Sequence, residues 1–106
     1  MRVKLVVKHD GEGIFPSFAA GTPVKIGENC THFIGWCACV IEGHNTYLPH
    51  IFVENGKLLR DYNPTELVQD IGDILIVQEI VHSWLLATNE SGEKGWIPAE
   101  SVVSVG

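Results

Sequence analysis

The sequence predicts an all-β protein made of two small β-barrels packed on each other, and three observations point to it. Short runs rich in β-branched and aromatic residues alternate with Gly, Pro, Asn and Asp along the whole chain. A series of motifs occurs twice in the same order. Between the two copies, Asn55-Gly56 stands between apolar runs and predicts a two-residue hairpin.

The strand pattern favours a small barrel or sandwich over a helical fold. Many short strands with regular turn signals are typical of small all-β domains. No segment carries a sustained helical stripe; the nearest, residues 70–80, is interrupted by Gly72 and dominated by Ile and Val. The predicted strands are residues 3–8, 23–26, 36–41, 51–53, 74–77 and 84–88.

The internal repeat divides the chain into two modules, residues 1–54 and 57–106. The first half reads AAGTPVKI, GWCACVI and TYLPHIFVE, and the second reads DIGDILIV, SWLLATN and GWIPAESVV. Two copies of one fold explain this order most economically. A two-residue connection predicts a fixed relative orientation of the modules rather than a flexible tether. The equivalent pairs are Gly21 with Gly72, Trp36 with Trp84, Tyr47 with Trp96, and Pro49 with Pro98.

Composition narrows the classes of partner. The chain of 106 residues has 13 acidic and 7 basic residues and a formal net charge of -6, with no basic run. Because phosphate binding relies on clustered Lys and Arg, we expect no nucleic-acid partner. Apolar residues make up 45% of the chain and mean hydropathy is +0.15. These values predict an additional buried interface, either between the modules or between copies of the chain.

Targeting signals and cysteine usage indicate the compartment. Residues 1–13 carry neither the apolar stretch nor the cleavage site of a signal peptide. No segment approaches the roughly 20 apolar residues needed to span a bilayer. The cysteine count of 3 is odd and does not suggest a disulfide framework. We therefore expect a cytoplasmic protein with no membrane partner.

The second half is similar to the Src-homology-3 domain family over residues 57–105. Residues 58–62 (LLRDY) resemble the opening motif of that family, and residues 64–67 its long acidic loop. Residues 83–87 match its tryptophan strand, and residues 95–98 (GWIP) its closing motif. The first half shares only the later motifs and is a degenerate relative. The resemblance implies two tandem Src-homology-3-like barrels and suggests a bacterial origin.

The resemblance also implies a shallow aromatic groove for a Pro-rich or basic peptide. In that family aromatic side chains bind a preformed polyproline helix, and the acidic loop pairs with an Arg or Lys of the ligand. By position, Trp84 forms the wall of the groove, and Tyr62 and Pro98 form its floor. Glu66 is the acidic partner, and Trp96 occupies a position that is usually another aromatic.

Two departures from the family pattern predict weakened polyproline binding. Arg60 replaces the first tyrosine of the opening motif, and Ser101 replaces the tyrosine after the closing motif. Loss of a packed aromatic typically costs a binding surface about 1–2 kcal/mol or more. The first module keeps the aromatic that the second lacks, so it is the better groove candidate by aromatic content. Its candidate ligand-binding residues are Trp36, Tyr47, Pro49 and Phe52.

Metal, cofactor and enzyme chemistry find little support. Cys37 and Cys39 lie on a predicted strand, on the face opposite Trp36, where we expect them in the core as small hydrophobes. A zinc site would need about four convergent ligands. Cys30 and His32 share a loop, but no third orienting group accompanies them. We predict no metal, no cofactor and no enzymatic activity.

The sequence leaves two main functional hypotheses. The first is a non-enzymatic protein-interaction or ligand-binding module that uses the aromatic grooves to bind a protein or peptide. The second is a structural or self-association module, in which the same aromatic surfaces are buried between the modules or in a homodimer. A thiol- or metal-dependent activity on the loop of Cys30 and His32 is a third alternative. Exposed tryptophans would favour the first hypothesis, and shielded tryptophans the second.

Overall fold

The computed structural model describes residues 1–11 and 13–105 and confirms the all-β class. Within these residues the chain forms ten strands and two short 3-10 helices. The strands form three separate antiparallel sheets, and no sheet in this described part of the chain closes into a barrel. Across the same residues, no helix has the length and apolar character needed to cross a membrane.

Each predicted strand overlaps an observed one, although the strand predicted over 3–8 ends at Leu5. The observed strands His44–Pro49, Lys94–Pro98 and Val102–Val105 lie outside the predicted ranges. Residues 36–41 and 84–88 form strands as predicted, and the strand predicted over 74–77 continues to Val81. The strands are β1 Arg2–Leu5, β2 Val24–Asn29, β3 Trp36–Ile41, β4 His44–Pro49, β5 Val53–Glu54, β6 Lys57–Leu58, β7 Ile74–Val81, β8 Trp84–Thr88, β9 Lys94–Pro98 and β10 Val102–Val105.

The strand predicted over residues 51–53 is wrong for its first two positions. His50–Phe52 forms a 3-10 helix, and the N–H of Val53 bonds to the carbonyl of His50. The helix follows Pro49, which has no N–H to continue a strand ladder. An equivalent 3-10 helix, Ala99–Ser101, follows Pro98 in the second half.

The chain folds into two compact units, which differ from the predicted modules. Unit 1 combines Met1–Ile14 with Thr65–Gly106, and unit 2 is the continuous segment Phe15–Pro64. The predicted division lay at Asn55-Gly56. The chain instead passes from one unit to the other after Ile14 and again after Pro64.

Unit 1 is built on a five-stranded sheet with the order β10-β1-β7-β8-β9. The N-terminal strand β1 lies inside this sheet, paired with β10 on one side and β7 on the other. Val3 and Leu5 alternate with exposed Arg2 and Lys4, so β1 contributes one apolar face to the core. The buried core consists of Val3, Leu5, Leu67, Leu75, Leu85, Ala87 and Ile97.

Unit 2 contains the three-stranded sheet β2-β3-β4 and the two-stranded sheet β5-β6. Isolated bridges join Phe18 to Tyr62 and Pro23 to Lys57, so the segment after the hairpin closes this unit. In β3, Cys37, Cys39 and Ile41 are buried, as the alternation of a strand requires. The core placement predicted for the two cysteines is therefore confirmed.

The hairpin at Asn55-Gly56 is confirmed, but it lies inside unit 2 rather than between the units. Val53 pairs with Leu58, and the two turn residues have φ values of 53° and 72°. Positive φ at both positions is the requirement of a type I′ turn, which Asn-Gly meets with little strain. The hairpin therefore returns the chain onto the unit to which β4 belongs.

The opening strands of the two halves are exchanged relative to the predicted modules. β1 comes from the first half but completes the sheet of the second half. The segment of residues 57–62, predicted to open the second module, completes the first half instead. Each unit consequently has an opening segment from the other half of the sequence, which is the physical reason for the shifted boundaries.

Matching hydrogen bonds show that the two exchanged segments are equivalent. The N–H of Gly21 donates to the carbonyl of Leu58 at 2.7 Å, and the N–H of Gly72 donates to the carbonyl of Leu5 at 2.9 Å. The predicted equivalence of Gly21 with Gly72 therefore extends to their partners, so Leu58 in unit 2 corresponds to Leu5 in unit 1.

Candidate functional site

The predicted aromatic residues of the first half come together in unit 2. Trp36 begins β3 directly opposite Pro49 at the end of β4. The 3-10 helix that follows carries Phe52, whose ring lies 5.6 Å from that of Tyr62 at an interplanar angle of 79°. Edge-to-face rings at this distance stabilise each other beyond their burial. The sequence predicts Tyr62 in the other module; the strand exchange brings it here.

These side chains are in the interior and do not form an open groove. Trp36 is 4% exposed, Phe52 3% and Tyr62 4%, and Pro49 is also fully buried. A polyproline ligand reads aromatic faces that are open to solvent. The unit 2 aromatics therefore pack in the interior of their unit.

Arg60 covers one face of this aromatic set. Its guanidinium lies 4.4 Å from the centroid of the Phe52 ring, a cation–π contact of the kind worth about 0.5–1 kcal/mol at an exposed site. Arg60 is exposed, whereas Phe52 beneath it is buried.

Tyr47 is the predicted site residue of unit 2 whose side chain reaches solvent, with 45% of its surface exposed. It lies in β4, the edge strand of the β2-β3-β4 sheet. Its carbonyl accepts a hydrogen bond of 2.6 Å from the hydroxyl of Tyr62. The preceding residues His44 and Asn45 are also exposed, whereas Thr46, Leu48 and Pro49 are buried.

Unit 1 presents a different set at the equivalent place. Trp84 lies opposite Pro98, as Trp36 lies opposite Pro49. Trp84 is 9% exposed and Trp96 2%, and Pro98 is buried as well. The tryptophans of both units are thus shielded.

His9 is a member of the unit 1 site that sequence reasoning missed. Reciprocal backbone bonds join His9 to Gln69 in unit 1 and Tyr62 to Phe18 in unit 2, so His9 takes the place of Tyr62. Its ring lies edge-on to Trp84 at 5.8 Å. The sequence does not reveal this role, because the strand exchange places the opening segment of unit 1 at the N-terminus rather than just before the second half.

Glu66, the predicted acidic partner of a basic ligand, is engaged within unit 1. Its Oε1 lies 2.8 Å from Nε2 of His9, and the side chains of Glu66 and His9 are 12% and 18% exposed. A mostly buried carboxylate held by an imidazole is poorly placed to bind the Arg or Lys of a ligand. The contact instead ties the segment after the opening strand to the segment that returns from unit 2.

The edge of β9 in unit 1 is covered by the chain itself. Glu66 forms a parallel bridge with Trp96. The N–H of Trp96 donates to the carbonyl of Thr65 at 3.0 Å, and the N–H of Leu67 donates to the carbonyl of Trp96 at 2.9 Å. Residues 65–67 thus act as a short additional strand, and Leu67 enters the core.

The cysteines have the properties of packed thiols. Burial raises the pKa of the Cys39 thiol to about 12, and burial also raises the pKa of Cys37 and of Cys30. An activated thiol needs the opposite shift, because the thiolate is the nucleophile. Among residues 1–11 and 13–105, no group of three or more His, Cys, Asp or Glu side chains is arranged to hold a metal ion.

Comparisons with known proteins yield no relative. No protein-family model matches the chain, and neither the curated proteins nor the solved structures give a significant match. The functional argument therefore depends on the geometry of the two units.

Proposed function

We propose that this chain is a non-enzymatic protein-interaction module of two Src-homology-3-like units with exchanged opening strands, and that unit 2 binds a peptide at strand β4. The observation that carries the proposal is the exposure of Tyr47 on an edge strand. Large aromatic side chains on exposed strands supply contact area at low entropic cost, which is why they are enriched in interfaces.

The matched architecture of the two units supports their Src-homology-3-like character. Each unit has a tryptophan opposite a proline, followed by a 3-10 helix and a strand that pairs with the opening segment. In unit 2 this segment is residues 58–62, the motif that resembles the opening of the family. Its Asp61 accepts the backbone N–H of Ala20 at 2.9 Å, which ties the opening segment to the loop before β2.

The proposed ligand differs from the Pro-rich peptide that the family resemblance implies. The faces that a polyproline helix would contact, Trp36, Pro49 and Phe52, are buried. The side chain of Tyr47 remains 45% exposed. A ligand read by an exposed ring and a strand edge fits this surface better than one read by a row of open aromatic pockets.

A peptide library tests the proposal. Random peptides displayed on phage and selected on the full chain should yield ligands, and Tyr47→Ala should weaken their binding about tenfold or more. The matched control is Ile80→Ala in unit 1, because Ile80 is a large side chain that is 60% exposed. Enriched peptides that bind Tyr47→Ala and the native chain equally, or a selection that enriches no peptide, would contradict the proposal.

The shielded tryptophans favour a second candidate, a purely structural use of the aromatic residues. A single chain already buries all three tryptophans, so a homodimer is not required for their burial. Under this candidate, acrylamide quenches the tryptophans poorly and no peptide binds. Light scattering on the same samples then determines whether the exposed isoleucines of unit 1 support self-association.

A further inference from the structure

The face of the unit 1 sheet that points away from the core gathers cations among apolar side chains. Val3, Leu5 and Leu75 belong to the core, so the residues that alternate with them along β1 and β7 lie on the opposite face. Every charged residue of this face is a cation, although the chain has 13 acidic and 7 basic residues. The outer face of unit 1 consists of Arg2, Lys4, Ile74, Ile76, Thr88, Lys94, Val103 and Val105.

The strand register arranges these residues in two neighbouring rows. The first row contains Val103, Lys4 and Ile74, on β10, β1 and β7. The second row crosses all five strands and contains Val105, Arg2, Ile76, Thr88 and Lys94. Ile76 is 46% exposed and Val103 45%. Two large apolar side chains therefore reach solvent beside the cations of β1.

Unit 2 supplies an internal reference for the first row. Glu54 lies opposite Lys57 in the β5–β6 hairpin, as Val103 lies opposite Lys4 in unit 1. Lys57 also forms a bridge with Pro23, as Lys4 pairs with Ile74. Opposite charges directly across a strand pair stabilise the pair. Unit 1 keeps the lysine of this arrangement but has a valine in place of the acid.

The second row differs from unit 2 in the same direction. Ile76 pairs with Thr88 as Lys25 pairs with Val40, so Ile76 is the counterpart of Lys25. Both residues are exposed. Unit 1 thus has an apolar side chain at two exposed positions where unit 2 has a charged one. Apolar side chains at such positions gain free energy when another surface covers them.

The cations of the outer face have no carboxylate of this chain assigned to them. Within the described residues, Lys4 and Lys94 take part in no ion pair. Glu93, next to Lys94, accepts a hydrogen bond of 3.0 Å from Asn89. A surface that carries carboxylates would therefore complement these lysines. The acidic residues that border the face are Glu79, beyond the irregularity in β7, and Glu90 and Glu93 in the turn between β8 and β9.

We infer that the outer face of unit 1 binds a segment of another protein that carries carboxylates among apolar side chains. The apolar side chains of the segment cover Ile76 and Val103, and its carboxylates pair with Lys4 and Lys94. The buried apolar area supplies contact energy, whereas the charges orient the partner and speed its association. This surface goes beyond the peptide site proposed at β4, which belongs to unit 2, and gives the chain a second partner.

The probe is a blocked synthetic peptide in which pairs of glutamate alternate with pairs of leucine. The full 15N-labelled chain is titrated with this peptide up to millimolar concentration. We expect the amides of Lys4, Ile76 and Val103 to shift, and the affinity to fall as salt is added, because salt screens exposed charges. The control peptide has lysine in place of glutamate and should not bind this face. A Glu–Leu peptide that shifts no amide of the outer face would overturn the inference.

Charge reversal at equivalent positions of the two units tests which face binds. Lys4→Glu should weaken binding of the Glu–Leu peptide about tenfold, because it replaces an attraction with a repulsion. The matched control is Lys57→Glu, the counterpart of Lys4 in unit 2, and it should leave the affinity unchanged. Tyr47→Ala should also leave it unchanged, which separates this surface from the site at β4. Equal weakening by Lys4→Glu and Lys57→Glu would overturn the assignment to unit 1.

Val103→Glu recreates in unit 1 the arrangement of Glu54 opposite Lys57. It places an acid opposite Lys4 and removes an exposed apolar side chain, so it should weaken the Glu–Leu peptide about tenfold. Urea unfolding should show that the exposed substitution leaves the fold intact. Val103→Gln has the same shape without the charge and should weaken binding less. Equal effects of Val103→Glu and Val103→Gln would mean that charge complementarity has no role, and would overturn the inference.

Vesicles distinguish a protein partner from a membrane. The same cations and apolar side chains could contact an anionic lipid surface. Sedimentation with phosphatidylserine vesicles that Lys4→Glu abolishes, together with no binding of the Glu–Leu peptide, would assign the face to lipid and overturn the inference. Binding of the peptide with no sedimentation supports it.

Discussion

Tyr62 and His9 hold equivalent positions, yet each is matched to its own unit. Tyr62 packs edge-to-face on Phe52, whose counterpart in unit 1 is Ser101, which offers no ring. His9 is paired with Glu66, whose carboxylate has no counterpart in unit 2. Each residue would lose its partner if the opening strands returned to their own halves. These side chains therefore favour the exchanged arrangement over the tandem order that the sequence predicts.

Tyr62→Phe tests the hydrogen bond of the Tyr62 hydroxyl separately from the contact of its ring with Phe52. The change removes the hydroxyl that donates to the Tyr47 carbonyl at 2.6 Å while keeping the ring on Phe52. We expect the free energy of unfolding to fall by about 1 kcal/mol, the usual value for a partly buried hydrogen bond. Urea unfolding followed by circular dichroism measures it. Tyr47→Phe removes an exposed hydroxyl and should leave the midpoint unchanged; equal effects of the two changes would contradict the assignment.

The buried thiol of Cys39 should make the free energy of unfolding depend on pH in the alkaline range. Burial raises the pKa of its thiol from 9.0 to about 12, so the folded state keeps the proton while the unfolded chain loses it. The stability that the buried thiol contributes is complete below pH 9 and declines as the pH rises toward about 12. Cys39→Ala should flatten the alkaline slope of the unfolding free energy, measured by urea unfolding from pH 7 upward. The reference is Cys30→Ala, a less buried thiol; a slope that only this control changes would contradict the argument.

At the scale of the elements, turn residues decide which hairpins the sequence reveals. Asn55-Gly56 is predictable because Asn and Gly adopt positive φ readily. His82-Ser83 forms an equivalent two-residue turn with φ values of 43° and 72°, and the β7–β8 register across it pairs Val81 with Trp84. Ser83 does not favour positive φ, and the pair lacks the Asn or Gly that marks such a turn. The local sequence therefore gives no clear turn signal there, and the tertiary pairing of β7 with β8 imposes the conformation.

The turn strain can be relieved. Ser83→Gly places a residue that tolerates positive φ at a position where Ser83 has a φ of 72°, and we expect stabilisation by about 0.5–1 kcal/mol. Gly43→Ala makes the opposite change in the Glu42-Gly43 turn, where φ is 80° and no atom lies within 4 Å of an added Cβ. That substitution tests backbone strain alone and should destabilise by about 1 kcal/mol. Thermal unfolding of both variants measures the direction of each stability change. A change in the same direction for both would refute the strain argument.

For the whole molecule, local patterns predict the duplication and strands such as β3 and β8, but not the pairing of the opening segments. The hydrophobic alternation of β1 and of residues 57–62 fits either half equally well, since both segments form the same backbone hydrogen bonds. Their assignment depends on side chains distant in sequence, such as Phe52 for Tyr62 and Glu66 for His9. The same pairing buries the predicted groove residues, which explains why family position alone places Trp84 and Tyr62 at one site and the structure does not.

The exchanged topology makes one strong prediction about which pieces of the chain fold. Deleting unit 2 and joining Ile14 to Thr65 keeps β1 between β10 and β7, and the contact of 2.8 Å between His9 and Glu66 shows that the joined ends are close enough for a short loop. We expect this chain and the isolated segment 15–64 each to unfold cooperatively, although units of this size are only marginally stable.

The fragments 1–54 and 57–106 should not unfold cooperatively. Removing β1 takes Val3 and Leu5 from the core of unit 1 and leaves β7 and β10 without their shared neighbour. Urea unfolding and amide dispersion in NMR spectra distinguish the two pairs of fragments. Cooperative folding of 57–106 would mean that residues 58–62 can replace β1, and that the exchange is a preference of the intact chain rather than a requirement of each unit.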